Sequence, residues 1–143
     1  MEVEEDPPVS IVLRSFNEAW ALRDTLPALA AQNHRNWELL VFDSGSADGS
    51  VELIRRARPR HFIQLQPHEY RPGRVLNQGM GLARHDRVIF LNADATPQGA
   101  DWLGPLARAL DDPRVAAVFG RQVPRPDCEA AFARDYERCF GEH

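Results

Sequence analysis

Short, continuous apolar runs alternate along the chain with stretches of helical spacing. Each run is too short for a helix, and the runs lie at 9–13, 37–42, 61–65, 88–91 and 115–119. Because their apolar residues are continuous rather than alternating, the runs predict strands that are covered on both faces. The regular alternation of strand and helix predicts an α/β protein with a doubly wound, mainly parallel sheet.

Apolar spacing predicts five helices between and after these strands. Pro27 falls inside the first helix and should kink or restart it. The second helix follows the polar loop after the second strand, and Asp48 or Ser46 would cap its N-terminus. The apolar faces of the other three are marked by Leu76, Met80 and Ala83, by Leu103, Leu106, Ala107 and Leu110, and by Phe132, Tyr136 and Phe140.

The composition fits one globular domain, with 143 residues of which 43% are hydrophobic and 27% charged. We expect an acidic leader at 1–8, one α/β domain at 9–124 and a C-terminal helix at 125–143 that packs on the domain or leaves it. The net charge of −4 argues against nucleic acid as a partner, and no apolar run reaches the roughly 18 residues of a membrane span. Two cysteines, Cys128 and Cys139, are too few for a disulfide framework. A reduced, cytoplasmic protein without a transmembrane segment is expected.

Polar loops follow the first, second and fourth strands at the points where these strands end. The loops cover 14–18, 43–50 and 92–97, and they place Asp43 and Asp94 directly after buried apolar runs. Doubly wound sheets bind ligands at the carboxyl ends of their strands, so these carboxylates are expected to face one crevice. Taken alone, each loop is explained by ordinary turn chemistry. A buried carboxylate, however, needs hydrogen-bond donors or a cation.

The segment 67–77, between the third strand and the third helix, adds positive charge. It contains Arg71 and Arg74 around Gly73 at the start of a helix. Guanidinium groups beside helix N-terminal amides suit a diphosphate, although a solvated basic turn explains this segment equally well by itself. Together with the carboxylates, it suggests a nucleoside diphosphate with Mg²⁺ or Mn²⁺, which proteins hold through one or two carboxylates plus phosphate oxygens.

In order and spacing, these motifs resemble those of family 2 glycosyltransferases, the inverting enzymes with the GT-A fold. The resemblance covers about 9–124 and rests on 10–13 with Asn17-Glu18, on 37–49, on 73–79, on 90–97 and on 120–124. The motifs at 94–97 and 120–122 look most similar to those of rhamnosyltransferase-like members. The resemblance implies the Rossmann-like, nucleotide-sugar-binding half of a GT-A enzyme, truncated before the acceptor-binding half.

The resemblance also implies which residues bind the nucleotide. Asp43 would accept a hydrogen bond from the imide N–H of the nucleobase. The backbone near Ser15 and Phe16 would line the base, and Glu18 would lie near the ribose. Arg74 would lie against the base or the diphosphate.

A metal site is implied at the end of the fourth strand. Asp94 would ligate Mg²⁺ or Mn²⁺ between the two phosphates, where a cation can neutralise the charge of the leaving group. The family commonly has an acid two positions earlier, whereas this chain has Asn92, which can hydrogen bond to ribose or phosphate. The five histidines lack the spacing of zinc ligands, so a zinc site is not expected.

The implied reaction moves a sugar from a UDP or dTDP donor to a hydroxyl of a saccharide or lipid-linked acceptor, with inversion. No catalytic base is identified, because the acids after the matched region fit the solvated face of the last helix. These acids are Asp127, Glu129, Asp135 and Glu137. The alternative is a non-catalytic or truncated donor-binding module that dimerises or needs a missing acceptor half. A receiver-type phosphoacceptor domain is excluded because the chain contains no lysine.

Overall fold

A computed structural model describes residues 5–141 as a sheet flanked by helices. The strands are β1 Val9–Ser15, β2 Trp37–Asp43, β3 His61–Gln64 and β4 Arg87–Asn92. The helices are α1 Ala19–Ala30, α2 Ser50–Ala57, α3 Pro72–Leu82, α4 Leu103–Ala109 and α5 Ala130–Phe140, with a short 3-10 turn at Pro67–Glu69. All five predicted helices and the first four predicted strands occur close to their expected positions.

The strands form one parallel sheet in the order β3-β2-β1-β4. β1 lies inside the sheet, where Leu13 is opposite Val41 of β2 and Leu91 of β4. Because the strand order reverses between β1 and β4, a crevice is expected at the carboxyl ends of these two strands. The predicted doubly wound α/β fold is confirmed. Within the described residues, no helix has the length and apolar character needed to cross a membrane.

Helices cover both faces of the sheet. On one face, alternate residues of β1 and β2 pack against α1, α2 and α4 in a core that includes Ile11, Leu13, Leu22, Ile54 and Leu103. On the opposite face, the remaining residues of the same strands pack against α3 in a smaller core of Val12, Leu40, Phe42 and Val75. The two cores hold β1 and β2 between helical layers, so the ends of these strands are fixed.

Gly79 allows α3 to approach β1 closely. A Cβ atom added at Gly79 would lie 2.6 Å from Cγ1 of Val12, whereas one added at Gly81 would meet nothing within 4 Å. The buried face of α3 is therefore formed by Val75 and Gly79, and Met80 is 55% exposed. The prediction that Met80 belongs to the buried face is wrong, because a glycine at a close contact gives no hydrophobic signal in the sequence.

The predicted strand at 115–119 does not form in the described part of the chain. Its residues are exposed, Phe119 by 84%, and the backbone from 115 to 125 has no regular secondary structure. A short apolar run becomes a strand only where a neighbouring strand supplies hydrogen bonds, which periodicity cannot reveal. The sheet therefore has four strands, and β4 is an edge strand.

Two helix features also differ from the sequence prediction. The N-cap of α2 is Gly49, in a left-handed conformation with φ 98°, so the prediction of Asp48 or Ser46 is wrong. Asp48, one residue before this N-cap, still contacts the start of α2, since its Oδ1 accepts a hydrogen bond of 3.0 Å from the backbone N of Ser50. Its Oδ2 accepts one of 2.8 Å from the backbone N of Ala19, in the first turn of α1. The helix α1 also continues through Pro27 without restarting.

A buried carboxylate lies near the amino ends of the strands. Glu38 of β2 accepts hydrogen bonds from Ser10 Oγ at 2.6 Å, from Arg84 N and Nε, both at 2.8 Å, and from Arg60 Nη1 at 3.0 Å. Burial by itself raises the pKa of Glu38, but these donors outweigh it and lower the pKa to about 2. The group stays ionised in the folded protein, and it joins β1, β2 and the chain after α3.

The expected domain limits remain predictions. Residues 1–4 and 142–143 lie outside the described residues. The end of the leader is attached to the domain, since Asp6 Oδ2 accepts a hydrogen bond of 2.9 Å from the backbone N of Arg35. At the other end, α5 has no buried residue. The rings of Tyr136 and Phe140 pack on each other, with 6.3 Å between the ring centres.

Candidate functional site

A polar cleft opens at the carboxyl ends of β1 and β4, where the strand order reverses. It has a volume of about 160 Å³ and is lined by Arg14, Ser15, Phe16, Glu18, Asn92 and Asp94. The sequence predicted all of these as site residues except Arg14. The fold therefore brings together the polar ends of the first and fourth strands, which are far apart in sequence.

Arg14 connects three segments at this cleft. Its Nη2 donates a hydrogen bond to Oδ1 of Asn92, which lies directly opposite Arg14 in the β1–β4 ladder. Its Nη1 donates to the hydroxyl of Tyr70 at 3.3 Å. Sequence analysis missed Arg14 and Tyr70 as site residues. For Arg14 a signal existed, since a single arginine follows an otherwise apolar strand.

The turn after β1 is held by the loop after β2. Asn17 adopts a left-handed conformation with φ 51°. Its backbone N donates to Ser46 Oγ at 2.8 Å, and its Oδ1 accepts from the backbone N of Ala47 at 2.9 Å. Within the turn, the backbone N of Phe16 donates to Glu18 Oε2 at 3.3 Å. These bonds fix the backbone that presents Phe16, which is 50% exposed and offers an aromatic surface at the cleft.

Negative charge is concentrated in the cleft. Burial raises the pKa of Glu18, and the nearby charges of Asp94 and Asp48 raise it further, while the Phe16 amide and the Arg14 guanidinium oppose this shift. Asp94 is exposed, and within residues 5–141 no side chain or amide donates a hydrogen bond to its carboxylate. The two acids therefore place two carboxylates at the cleft, which the Arg14 guanidinium balances only in part.

The backbone around Asp94 is fixed from the side of α1. The Ala93 N donates to the carbonyl of Arg14 at 2.9 Å. Thr25, which is fully buried in α1, donates from Oγ1 to the carbonyl of Ala93 at 2.7 Å. The same hydroxyl lies 2.8 Å from Oγ1 of Thr96. Asp94 thus has an anchored main chain and a side chain that is available to a ligand.

Asp43 does not line the cleft. It is 0% exposed, its Oδ2 accepts hydrogen bonds from Gly45 N at 3.1 Å and Ser46 N at 2.9 Å, and its Oδ1 accepts from Ser46 Oγ. The expectation that this carboxylate faces the same crevice as Asp94 is wrong, because the loop after β2 folds back and supplies its own donors. The bond between Asp43 and a nucleobase stays a prediction.

Segment 67–77 reaches the cleft through a tyrosine rather than an arginine. Tyr70 contacts Arg14, whereas Arg71 donates back to the carbonyls of His68 and Tyr70 at 3.1 and 2.9 Å. Arg74 is exposed in the first turn of α3 and does not line the cleft. Its contact with a base or a diphosphate stays a prediction.

A divalent cation fits this site only if the ligand contributes oxygens. Within residues 5–141, no cluster of three or more His, Cys, Asp or Glu side chains could hold a metal ion by itself. Asp94 offers one free carboxylate, and Asn92 adds no charge. Mg²⁺ and Mn²⁺ accept such a site when phosphate oxygens complete the coordination. The donor set is therefore compatible with a metal bound together with a diphosphate.

A larger cavity, of about 390 Å³, lies between α5 and residues 121–124. Aromatic and aliphatic side chains, among them Tyr136, Phe140 and Val123, form much of its lining, and it includes no predicted nucleotide-binding residue. Glu137 borders this cavity, while Asp127, Glu129 and Asp135 are exposed elsewhere, as the prediction of a solvated face requires. None of the four lines the donor cleft.

Comparison with known proteins identifies relatives of this chain in sequence and fold. Residues 10–142 match the family described as Glycosyl transferase family 2. Poly-beta-1,6-N-acetyl-D-glucosamine synthase of Staphylococcus aureus is 29% identical over 124 residues, which are 84% of this chain and 30% of that protein. The O-antigen chain rhamnosyltransferase RfbN of Salmonella typhimurium is 28% identical over 131 residues, which are 90% of this chain and 42% of that protein. The chain thus spans less than half the length of these relatives.

Solved structures agree with this relationship. The mannosyltransferase PcManGT from Pyrobaculum calidifontis, in complex with GDP-Man and Mn²⁺, superimposes with a TM-score of 0.71 at 27% identity, over 94% of this chain and 39% of that chain. Residues 1–349 of Staphylococcus aureus TarS, in complex with UDP-GlcNAc, share the fold with a TM-score of 0.64 at 22% identity, over 82% and 37% of the two chains. Because the family match extends over almost the whole sequence and the fold agrees with it, this chain belongs to glycosyl transferase family 2.

Proposed function

We propose that the chain binds a nucleoside-diphosphate sugar in the cleft and serves the transfer of its sugar, with inversion, to an acceptor hydroxyl. The observation that carries this proposal is Asp94, whose main chain is anchored while its exposed carboxylate has no donor among the described residues. A free carboxylate next to the Arg14 guanidinium suits a divalent cation and a diphosphate. The match to a mannosyltransferase that holds GDP-Man and Mn²⁺ supports the same assignment.

The nucleoside would occupy the β1 side of the cleft. Phe16 would contact the base, Ser15 would line it, and Glu18 would lie near the ribose, with Asp43 behind them. Ser15 supports this placement because its Oγ is buried at the cleft without a partner among the described residues. We expect a UDP or dTDP sugar as donor, and GDP belongs in the test because PcManGT binds GDP-Man.

The diphosphate would lie towards β4. Asp94 would hold Mg²⁺ or Mn²⁺ together with phosphate oxygens, and Asn92 and Arg74 would provide neutral and cationic contacts. A bound cation would neutralise the charge that gathers on the departing nucleoside diphosphate. The acceptor is expected to be a saccharide or a lipid-linked saccharide, and the catalytic base is not assigned. The cytoplasmic location likewise stays a prediction.

A donor-binding module without turnover is the second candidate function. It is favoured by one observation, namely that Glu18 and Asp94 are the only acids lining the cleft in the described part of the chain. Both are assigned to the donor, so neither is free to deprotonate an acceptor. Such a module would act with a partner or as a homodimer.

Calorimetric titration tests the donor site. UDP, dTDP and GDP are titrated with and without Mn²⁺ into the wild type, Asp94→Ala and Asp86→Ala. Asp86 is an exposed acid at the opposite end of β4 and serves as the matched control. We expect one nucleotide to bind more tightly with Mn²⁺, and this gain to vanish in Asp94→Ala but not in Asp86→Ala. Absence of binding by all three nucleotides contradicts the proposal.

Turnover separates the two candidate functions. Hydrolysis of the matching nucleotide sugar, or transfer to an added saccharide, is measured by release of the nucleoside diphosphate. Turnover that depends on Asp94 supports the transferase. Tight donor binding without any release of nucleoside diphosphate supports the binding module.

A further inference from the structure

Arg125 lies in the irregular segment between α4 and α5, yet its guanidinium reaches the edge of the donor cleft. Its Nη2 donates to Thr96 Oγ1 at 2.6 Å and to the main-chain carbonyl of Asp94 at 3.2 Å. Its Nη1 lies 3.3 Å from Oδ2 of Asp24. One side chain therefore connects α1 with the loop after β4.

The same guanidinium packs on an aromatic ring of α1. Its central carbon lies 4.9 Å from the centre of the Trp20 ring. Trp20 is in the first turn of α1, two residues after Glu18, which lines the cleft. Arg125 thus contacts the start of α1, which follows Glu18, and it also contacts the main chain of Asp94.

The contacts require an arginine. A planar guanidinium can donate from two edges while one face stacks on an aromatic ring, whereas an ammonium group is a compact point charge. The side chain is 29% exposed, so its charge is partly shielded from water by the groups that it joins.

The loop that carries Asp94 is held from two sides. Thr25 fixes its inner side through the carbonyl of Ala93, and Arg125 holds its outer side through Thr96 and the carbonyl of Asp94. The Asp94 and Glu18 carboxylates repel each other, so the loop needs an outside contact to keep both acids at one cleft. A carboxylate whose position is fixed beforehand binds a cation more strongly, because partners of a metal ligand hold it in the orientation for binding.

We infer that Arg125 is a positioning residue for the metal and diphosphate, because it clamps the Asp94 loop to α1 and is not among the residues that line the cleft. The inference rests on the proposed function of the cleft as a donor site. It assigns a role to a residue from the C-terminal segment, more than a hundred positions from Asp24 in sequence.

The test compares nucleotide binding with and without Mn²⁺ in the wild type, Arg125→Ala, Arg125→Lys and Arg114→Ala. The nucleotide is whichever of UDP, dTDP and GDP binds the wild type. Arg114 is the matched control, since its side chain is 87% exposed and pairs with Asp112, two residues away. In Arg125→Ala we expect the affinity measured with Mn²⁺ to fall about tenfold or more, as is typical for partners that orient a metal ligand. The affinity measured without Mn²⁺ should change little, Arg125→Lys should lie between, and Arg114→Ala should match the wild type.

Thr96→Val is a second way to weaken the same clamp, because it removes an acceptor of Arg125; it also removes the contact between Thr96 and Thr25, while Thr25 keeps its bond to Ala93. It should lose the Mn²⁺-dependent affinity as well, and Arg125→Ala combined with Thr96→Val should lose no more than either change alone. If Arg125→Ala does not fold, Thr96→Val decides the question. If these variants keep the wild-type dependence of nucleotide affinity on Mn²⁺, the role of Arg125 is overturned, whereas the donor site is not. A wild type that binds no nucleotide overturns the donor site, and with it this inference.

Discussion

Arg14 and Asn92 lie opposite each other on β1 and β4, and the Arg14 guanidinium donates a hydrogen bond to the side-chain oxygen of Asn92. Asn92 carries no charge, so this pair is neutral on one side and cationic on the other. A guanidinium has five N–H donors. The bonds to Asn92 and Tyr70 leave donor capacity on Arg14 at the edge of the cleft.

Arg14→Ala should weaken binding of the nucleoside diphosphate by about tenfold or more, the usual effect of losing a charged hydrogen bond. Binding of the corresponding nucleoside, which has no phosphates, should change much less. Parallel calorimetric titrations of the two ligands measure this difference. Arg55→Ala, on the exposed surface of α2, is the control. Equal losses for both ligands would show that Arg14 does not select the diphosphate.

Glu38→Gln should lower the free energy of unfolding by about 3 kcal/mol at pH 7, which is the value of a pKa shift from 4.5 to about 2. The pKa is lower in the folded state than in the unfolded state. The stabilisation is therefore complete above about pH 5 and is lost as the pH falls towards 2. Urea unfolding of both proteins at several pH values should show a difference that shrinks in acid. Glu52→Gln, exposed on α2, should have the same free energy of unfolding as the wild type at each pH. A difference between Glu38→Gln and the wild type that does not change with pH would refute the ionised network.

Gly79→Ala should destabilise the protein by about 1–3 kcal/mol, because the new methyl group would overlap with Val12 and force α3 away from β1. Gly81→Ala, on the open side of the same helix, should be neutral or stabilising by up to about 1 kcal/mol, since alanine favours helix. Thermal or chemical unfolding measures both. Val12→Ala combined with Gly79→Ala should recover part of the lost free energy of unfolding. A Gly79→Ala protein as stable as the wild type would contradict the close contact between α3 and β1.

Asp43→Asn should lower the free energy of unfolding by about 1–3 kcal/mol, because an amide nitrogen would replace one of two acceptors that face Gly45, Ser46 and the Ser46 hydroxyl. Ser46→Ala removes one of these donors together with the acceptor of the Asn17 amide, and it should also lower the free energy of unfolding. Nucleotide affinity measured on the same proteins separates the two roles of Asp43. A loss of stability with unchanged affinity would confine Asp43 to its loop, and unchanged stability would contradict the buried network.

The sequence was informative wherever a local pattern decides the structure. Strand ends that switch from apolar to polar identified Asp43 and Asp94, because parallel strands deliver such residues to one edge of the sheet. Resemblance to a family assigned roles to these acids, and it added Glu18 and Asn92. The pattern could not show that the loop after β2 would bury Asp43 behind its own amides, since that depends on the path of the backbone.

Residues that act across the fold were not predictable in this way. Tyr70 and Arg125 reach the cleft from segments with no periodic signal, and their roles depend on which elements the tertiary structure brings near them. The prediction of a strand at 115–119 was wrong for the opposite reason. The composition of this run favours a strand, but within the described residues no neighbouring strand pairs with it. Gly79 was overlooked because close packing is achieved there by the absence of a side chain.

The inner position of β1 has a consequence for biosynthesis. The segment that will become β1 leaves the ribosome before the other three strands of this sheet, yet Arg14 meets Asn92 only after 78 further residues have been made. At a translation rate of about 5–20 residues per second, the backbone N–H and C=O groups on one edge of β1 wait roughly 4–16 seconds for their neighbour. During that interval the nascent chain offers an open strand edge to any other chain, so the order of strands that creates the cleft also delays the pairing of β1 on that side.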